Sequence, residues 1–575
     1  NASISSDISG IGDSGDIEIS TTDFSLTDNS LISASILSGG QGTAGSVTIN
    51  VNESLNLSET SLIVANINEN AIGSGGNLFL QAENLTLTDR SLIGVSTSGE
   101  GNAGSITINV NESLNLSEKS LVVASINENA IGSGGNLFLQ AENLTLTDAR
   151  IGAITSGEGD AGSVTINVNG SFNLLENSLI LASVSEDAIG SGGNLFLQAE
   201  NLTLADDSLI STSTLGQGTA GSITINVAEN LTLVDDSLIN TSTLGEGNAG
   251  SVTINANGSV ELLGGSDIGA DVSEDAIGSG GNLFLQAENL TLADGSQISA
   301  STFSAGNAGS VTIRVDDTIE LIGFRDGFGR SGIFTNAVIG SGNGGDLNVF
   351  TDNLILRDGS TVQASNFQSL GLSQTGSGNS GDVNISAEAI VAFPNQNNDI
   401  IANALQGNGG NINITADAIL GIAERPQNPI TNDIDASSQA TGLDGTVTIS
   451  NPDINSLQGV DRLPTNPVSA KTIATDACSA TGGKTNLIIK GKDGIPPEPN
   501  TPLPAESLLL DDRAIALDQN PHYIPAYIKP VKTDNGDIYP ARGVIVQEDG
   551  TVILTAYSND EQNNRVPQTA ANCNS

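Results

Sequence analysis

The chain has no Met and no Trp, one His, two Cys and four Tyr in 575 residues. Without Met the first residue is no natural start, so a processed product or internal piece is expected, with any export signal upstream. Two Cys cannot build a metal site of clustered thiolates. The one His, His522, stands between Pro521 and Tyr523 with no nucleophile motif around it, and a loop histidine is the plainer reading. Basic residues are scarce: 18 Lys+Arg against 66 Asp+Glu, a formal net charge of -48. Residues 1–450 hold 8 of the basic residues and 51 of the acidic ones, and Lys119 is the only lysine among them. So acidic a chain repels nucleic acid and anionic membranes, which argues against both as partners. It suits an exported, extended surface whose only implied ion is weakly bound calcium. No apolar run is long enough for a transmembrane segment.

What the chain has is repetition. Gly73 to Leu87, reading GSGGNLFLQAENLTL, returns almost unchanged at Gly132 to Leu146, Gly190 to Leu204 and Gly278 to Leu292. Shorter relatives such as Ala44 to Val51 sit between the copies. A Gly followed by an alternating apolar stretch recurs from Gly15 to Gly445, fifteen times at intervals of 27 to 36 residues. Each anchor is followed by two further short apolar stretches, such as Leu55–Leu57 and Ser61–Val64. Period-two alternation broken by Gly, Asn, Asp and Ser predicts three short strands per repeat, with glycine supplying the corners of positive φ. No window has helical periodicity. The expected fold is all-β, a right-handed parallel β-helix of about 15 coils over residues 1–450, with about 31 residues per coil. Val47, Ile49 and Val51 should point inward and stack on Leu78 and Leu80 of the next coil, with Thr48 and Asn50 outward. Strands about 4.8 Å apart give a rod of roughly 65–70 Å. Only three of the 16 Pro fall in this part, as a central hydrogen-bonded ladder requires.

Residues 451–575 differ. They contain every Tyr and 13 of the 16 Pro, and no Phe. Pro496 to Pro504 reads as an extended, exposed segment. Gly543–Val546 and Thr551–Leu554 around Glu548-Asp549-Gly550 read as a hairpin. A small β-rich C-terminal module is expected, and Cys478 and Cys573 bracket it. They read as a single disulfide of an oxidising compartment, two free buried thiols being the alternative.

Several residues could carry function. Phe79, Phe138, Phe196 and Phe284 should point outward beside Gln81, Gln140, Gln198 and Gln286, either meeting a partner or packing laterally on their own sheet. The insert Phe324-Arg325-Asp326-Gly327-Phe328-Gly329-Arg330 reads as an exposed loop, and loops are better candidates for specific contact than coils. Its Phe324, Arg325, Phe328 and Arg330 complete the candidate contact surface. Glu83, Glu142, Glu200 and Glu288 are copies of one repeat position, a ladder and not a catalytic pair. No level of the regular region breaks the repeat, so catalysis is not expected. Gly342-Asn343-Gly344-Gly345-Asp346 is a lone partial match to a calcium-binding nonapeptide, and corner glycines explain it better. Asn52, Asn56, Asn84, Asn111, Asn115, Asn143 and Asn201 open Asn-x-Ser/Thr triplets, which repeat corners also generate.

The repeat type, as in Gly101 to Val110 (GNAGSITINV), resembles that of the filamentous haemagglutinin-like exoproteins of two-partner secretion systems, especially the cyanobacterial kind. Cys478, Gly491 to Asn500, Gly543 to Val546, Gly550 to Thr555 and Cys573 are similar to that family's C-terminal region. The resemblance implies an upstream secretion domain and an outer-membrane two-partner-secretion transporter as partner. It also implies an adhesin-like role, extracellular or at the cell surface, toward glycans or surface proteins of host or neighbouring cells. The alternatives are a β-helix enzyme acting on polysaccharide and a self-assembling surface-layer or matrix component.

Overall fold

The computed structural model describes residues 1–327, 329–338, 341–366 and 377–450, and beyond them only the strands Val531–Thr533, Gly536–Ile538, Gly543–Val546 and Val552–Thr555. The described residues form no helix. Contacts divide the chain into two units, Asn1–Leu457 and Gln458–Ser575.

The first unit is a parallel β-helix. Each anchor glycine is followed, two residues on, by the first strand of its coil, from Ile17–Thr21 to Val447–Ser450. A second strand (Ser54–Leu57, Asn84–Leu87) and a third (Leu62–Val64, Leu92–Gly94) complete the coil. Each of these three strands pairs in parallel with its equivalent one coil away. Val47 lies on Leu78 and Ile49 on Leu80; Leu55 lies on Leu85, and Ile63 on Ile93. All eight of these residues are buried, while Thr48 is half-buried and Asn50 exposed, so the expected inward and outward parity holds. From Leu283–Ala293 onward the first two strands often fuse into one bent strand. The core is a stack of aliphatic layers, each large side chain contributing about 1.5–3 kcal/mol by leaving water. Phe172 replaces Leu within one such column and is fully buried.

Glycines hold corners of positive φ as expected, among them Gly264, Gly295 and Gly359 at 65–91°. At the anchors the backbone lies outside that region, and what the position demands is closeness. A Cβ on any anchor from Gly45 to Gly445 would sit 1.5–2.2 Å from the carbonyl oxygen of the anchor glycine one coil earlier. From Gly193 onward the anchor also donates its N–H across the coil, Gly193 to Ala182 O at 2.9 Å and Gly250 to Thr241 O at 2.9 Å.

The sharp corner before the third strand is made mostly by acidic and amide residues. Asp206 and Asp207 have φ of 56° and 59°, and Glu176 and Asn177 have 54° and 61°. Asp and Asn tolerate this region because their short polar side chains bond locally. A fully buried serine follows, as at Ser178, Ser208 and Ser237, whose hydroxyl donates back to a carbonyl three residues earlier at 2.6–2.7 Å. Outside the coil, asparagines tie one turn to the next. Asn77 Oδ1 accepts from Ser105 N at 2.8 Å, and Asn136 Oδ1 from Ser163 N at 2.9 Å. Asn84 and Asn143, two of the triplet asparagines, do the same for Ser113 N and Ser171 N.

In the second unit Gly543–Val546 pairs antiparallel with Val552–Thr555, the expected hairpin displaced by one residue in its second arm. Val531–Thr533 pairs likewise with Gly536–Ile538. Cys478, Cys573, His522 and the proline-rich segment lie outside the described residues.

Candidate contact surfaces

The first-strand sheet presents its outward side chains as columns. One runs Thr48, Phe79, Thr107, Phe138, Thr165, Phe196 and Thr224, each residue directly paired with the next. Phe284 resumes it between Thr253 and Thr312. Phe79, Phe138 and Phe196 therefore stand in alternate coils, about 9.6 Å apart at a 4.8 Å strand spacing, and Phe284 follows three coils after Phe196. Phe79 is 45% exposed; Phe138, Phe196 and Phe284 are half-buried. Gln81, Gln140, Gln198 and Gln286, two residues further along each strand, are all exposed.

The same coils carry a second exposed apolar row absent from the expectations. Ile72, Ile131, Ile189 and Ile277 are 45–68% exposed and precede the Phe by seven residues. Glu100 and Glu158 bridge Ile72, Ile131 and Ile189 in the intervening coils. The signal lay in the repeated Ala-Ile-Gly-Ser-Gly-Gly, where glycines surround an isoleucine that has no alternating partner.

The insert after Ile322 is a short antiparallel hairpin, Phe324–Arg325 against Gly329–Arg330, with Phe324 exposed. Phe328 lies outside the described residues. Both arginines bind the rod itself. Arg325 Nη1 donates to Asp236 Oδ1 at 2.6 Å and to the Gly264 carbonyl. Arg330 reaches the other way, with Nη1 2.9 Å from Asp399 Oδ2, Nη2 2.9 Å from Ser360 O, and further bonds to the Gly359 and Asn397 carbonyls. The Asp399 side chain is fully buried. The hairpin is a clamp laid along several coils. Of the exposed-loop expectation, Phe324 remains available for outside contact, and Arg330 has four of its five guanidinium N–H donors engaged within the chain.

Acidic groups form the dominant electrostatic feature. Glu59, Asp89, Glu118, Asp148 and Glu176 hold the same corner in successive coils. The hydrogen bond between Asp89 and Glu118 lowers the pKa of the first and raises that of the second. Asp267 and Asp271 bracket a third strand at a less solvated level. Burial pushes Asp267 up to about 7, against the hydrogen bond from Gln297 N, and nearby Asp271 and Asp236 add to the rise. Burial likewise pushes Asp271 up to about 6, against bonds from Ser299 Oγ and Ser301 N. A raised carboxyl pKa means that the folded chain holds protons the unfolded chain releases, so this contribution to stability is present near pH 4 and is lost as pH rises toward 7. We expect Asp267→Asn to flatten that decline, removing about 2 kcal/mol of stability difference between pH 4.5 and 8. Parallel pH series of urea unfolding check this, and identical slopes for the two proteins would refute it.

Among the described residues no three His, Cys, Asp or Glu converge as a metal site, and no helix is long and apolar enough to cross a membrane. Gly342 and Gly345, within the nonapeptide-like match, stack on the carbonyls of Gly306 and Gly309 like other glycines of the coils.

These features define the class as a parallel β-helix of about 14 turns with laterally repeated surface columns. No family model, curated protein or solved structure matches the chain.

Proposed function

We propose that this chain is an adhesin-like rod of the filamentous haemagglutinin-like kind, exported and displayed at a cell surface, which attaches by its side and performs no catalysis. The observation that supports this reading is the row of outward Phe, interleaved with Thr, beside exposed Gln. A parallel sheet with a recurring column of aromatic side chains suits ring-faced or apolar partners, and the flanking amides supply donors and acceptors for polar groups. The acidic rest of the rod resists collapse onto like-charged neighbours.

The test replaces Phe79, Phe138, Phe196 and Phe284 together by Thr, the residue that already fills this column in the neighbouring coils. The β-helix should remain, judged by circular dichroism. Saturable binding to cells and to a glycan panel should weaken about ten-fold or more, as loss of several aromatic contacts implies. Unchanged binding would dismiss the Phe row as the adhesive surface. Cleavage of a glycan by the intact protein would overturn the non-enzymatic reading. Calcium-dependent polymers without any foreign partner would replace adhesion by matrix assembly.

A further inference from the structure

Residues 1–313 contain three basic side chains, Arg90, Lys119 and Arg150. The structure brings all three to one place. Arg90 and Lys119 occupy the same corner position in successive coils, each at positive φ. Arg150 lies one coil further, directly paired with Leu121 on one side and Leu179 on the other. Together they line an open groove of about 370 Å³ with a floor that includes Leu121 and Leu179.

This level also breaks the repeat, contrary to the uniformity expected from the sequence. From Leu62 to Leu238 the outward head of the third strand is Leu62, Leu92, Leu121, Leu179, Leu209 and Leu238, and Arg150 is the one departure within that run; beyond it the column continues with Asp267 and Gln297. The corner is one residue shorter here, running Asp148-Ala149-Arg150 where an earlier coil runs Asp89-Arg90-Ser91-Leu92. The interval from Gly135 to Gly162, 27 residues, is the shortest of the fourteen and is the trace of that deletion.

The three cations differ from the other five basic residues of the rod. Arg325, Arg330, Arg357 and Arg425 are ion-paired, and Arg314 lies 4.4 Å over the Phe350 ring. Among the described residues, Arg90, Lys119 and Arg150 have no ion pair, although acidic corners surround them. Arg150 Nε is buried without a hydrogen-bond partner, and burial pulls the guanidinium pKa down.

We propose that this groove is a binding site for a single carboxylate-bearing sugar unit, a uronic acid, held by its carboxylate on Arg150 between Arg90 and Lys119. A planar guanidinium matches a carboxylate in a two-point contact, and Lys119 adds a point charge. The Leu floor suits the apolar face of a sugar ring. Asp148 and Asn177 on the groove wall offer an acceptor and an amide to ring hydroxyls. Asp148 also disfavours a densely sulfated ligand, and the acidic rod on either side repels a long polyanion. One negative charge with several hydroxyls is the chemistry that remains. The site is separate from the Phe row, so failure of either reading leaves the other standing.

The test uses the whole chain and titrates glucuronate and galacturonate against glucose, galactose, acetate and a short acidic peptide by ligand-observed NMR. The uronates should bind, and the neutral sugars and acetate should bind about ten-fold more weakly or less. Arg150→Leu restores the residue of the adjacent coils, so the fold should persist; uronate binding should fall about ten-fold or more, as loss of a charge-assisted contact implies. Lys119→Gln should weaken it less. Neutral sugars binding equally, or Arg150→Leu binding normally, would overturn the site. Acetate matching the uronates would reduce it to an anion pocket without sugar recognition, and preference for the peptide would reassign it to a protein partner.

Discussion

Replacing Gly135 by Ala should destabilise the β-helix by roughly 3–5 kcal/mol, the range reserved for changes the backbone cannot absorb. The added Cβ would lie 1.5 Å from Gly104 O and 2.6 Å from its carbonyl carbon. Neither atom belongs to a flexible side chain. Relief requires the two coils to separate at this corner, which strains the ladder that pairs Ile106 with Leu137 and Ile108 with Leu139. Coils are held by their neighbours, so the damage should be centred there and spread by pairwise coupling along the rod. Hydrogen exchange should show protection lost first in the strands Ile106–Val110 and Leu137–Ala141. Gly10→Ala is the control, since nothing lies within 4 Å of a Cβ there and its φ is outside the positive region. That change should stay within about 0.5 kcal/mol. Equal melting temperatures for the two variants would show that the anchor glycines are not a stacking requirement.

The second large effect is expected at Arg330. Its guanidinium neutralises Asp399, whose side chain is fully buried and also accepts from Gln427 Nε2 at 3.2 Å and Asp433 N at 3.1 Å. Removing the arginine leaves a buried carboxylate facing neutral donors alone. Such a break costs about 3–5 kcal/mol, mostly from the stranded charge. Arg330→Ala should therefore loosen the coils that its hairpin spans while those near Gly76 keep their protection. Arg325→Ala offers the comparison. Its pair with Asp236 is about a third exposed on both sides, so its loss should cost no more than about 1 kcal/mol. Asp399→Asn in the Arg330→Ala background should recover part of the loss, because the stranded charge is then gone. Urea unfolding of the four proteins decides the matter: equal costs for the two arginines, or no recovery in the double variant, would refute the clamp.

Both effects concern glycines and charges whose partners are far apart in the chain, and that marks where the sequence was legible. Strand identity, parity and coil-to-coil register were readable because each repeat carries its own period-two alternation. Val47 above Leu78 is a consequence of matching two adjacent copies, which needs no knowledge of the third dimension. The hairpin at Gly543–Val546 was readable for a similar local reason, a turn between two apolar runs. The outward Phe row followed from parity alone, as did its pairing with Thr.

Other features were hidden because they arise between coils or across them. The anchor glycine looks in sequence like any glycine of positive φ; its demand for closeness appears only when the preceding coil is laid against it. The Asp and Asn corners were read as polar punctuation, although they carry the left-handed backbone themselves. Arg325 and Arg330 read as loop charges free for a partner. Their carboxylates stand 89 and 69 residues away, and a separation of that kind leaves no local pattern.

The amino-acid sequence by itself determined the architecture of the rod: parallel coils, an aliphatic interior, outward columns and an acidic skin. It could do so because a repeated local pattern has one way to bury its apolar face, against its own copies. Tertiary structure alone decided which exposed groups are free. It turned the hairpin arginines onto the rod, set Arg150 in a column of leucines beside Arg90 and Lys119, and left that trio without acidic partners. Distance through space governs electrostatic pairing, and in a coil of about 31 residues per turn the nearest charge in space is rarely the nearest in sequence.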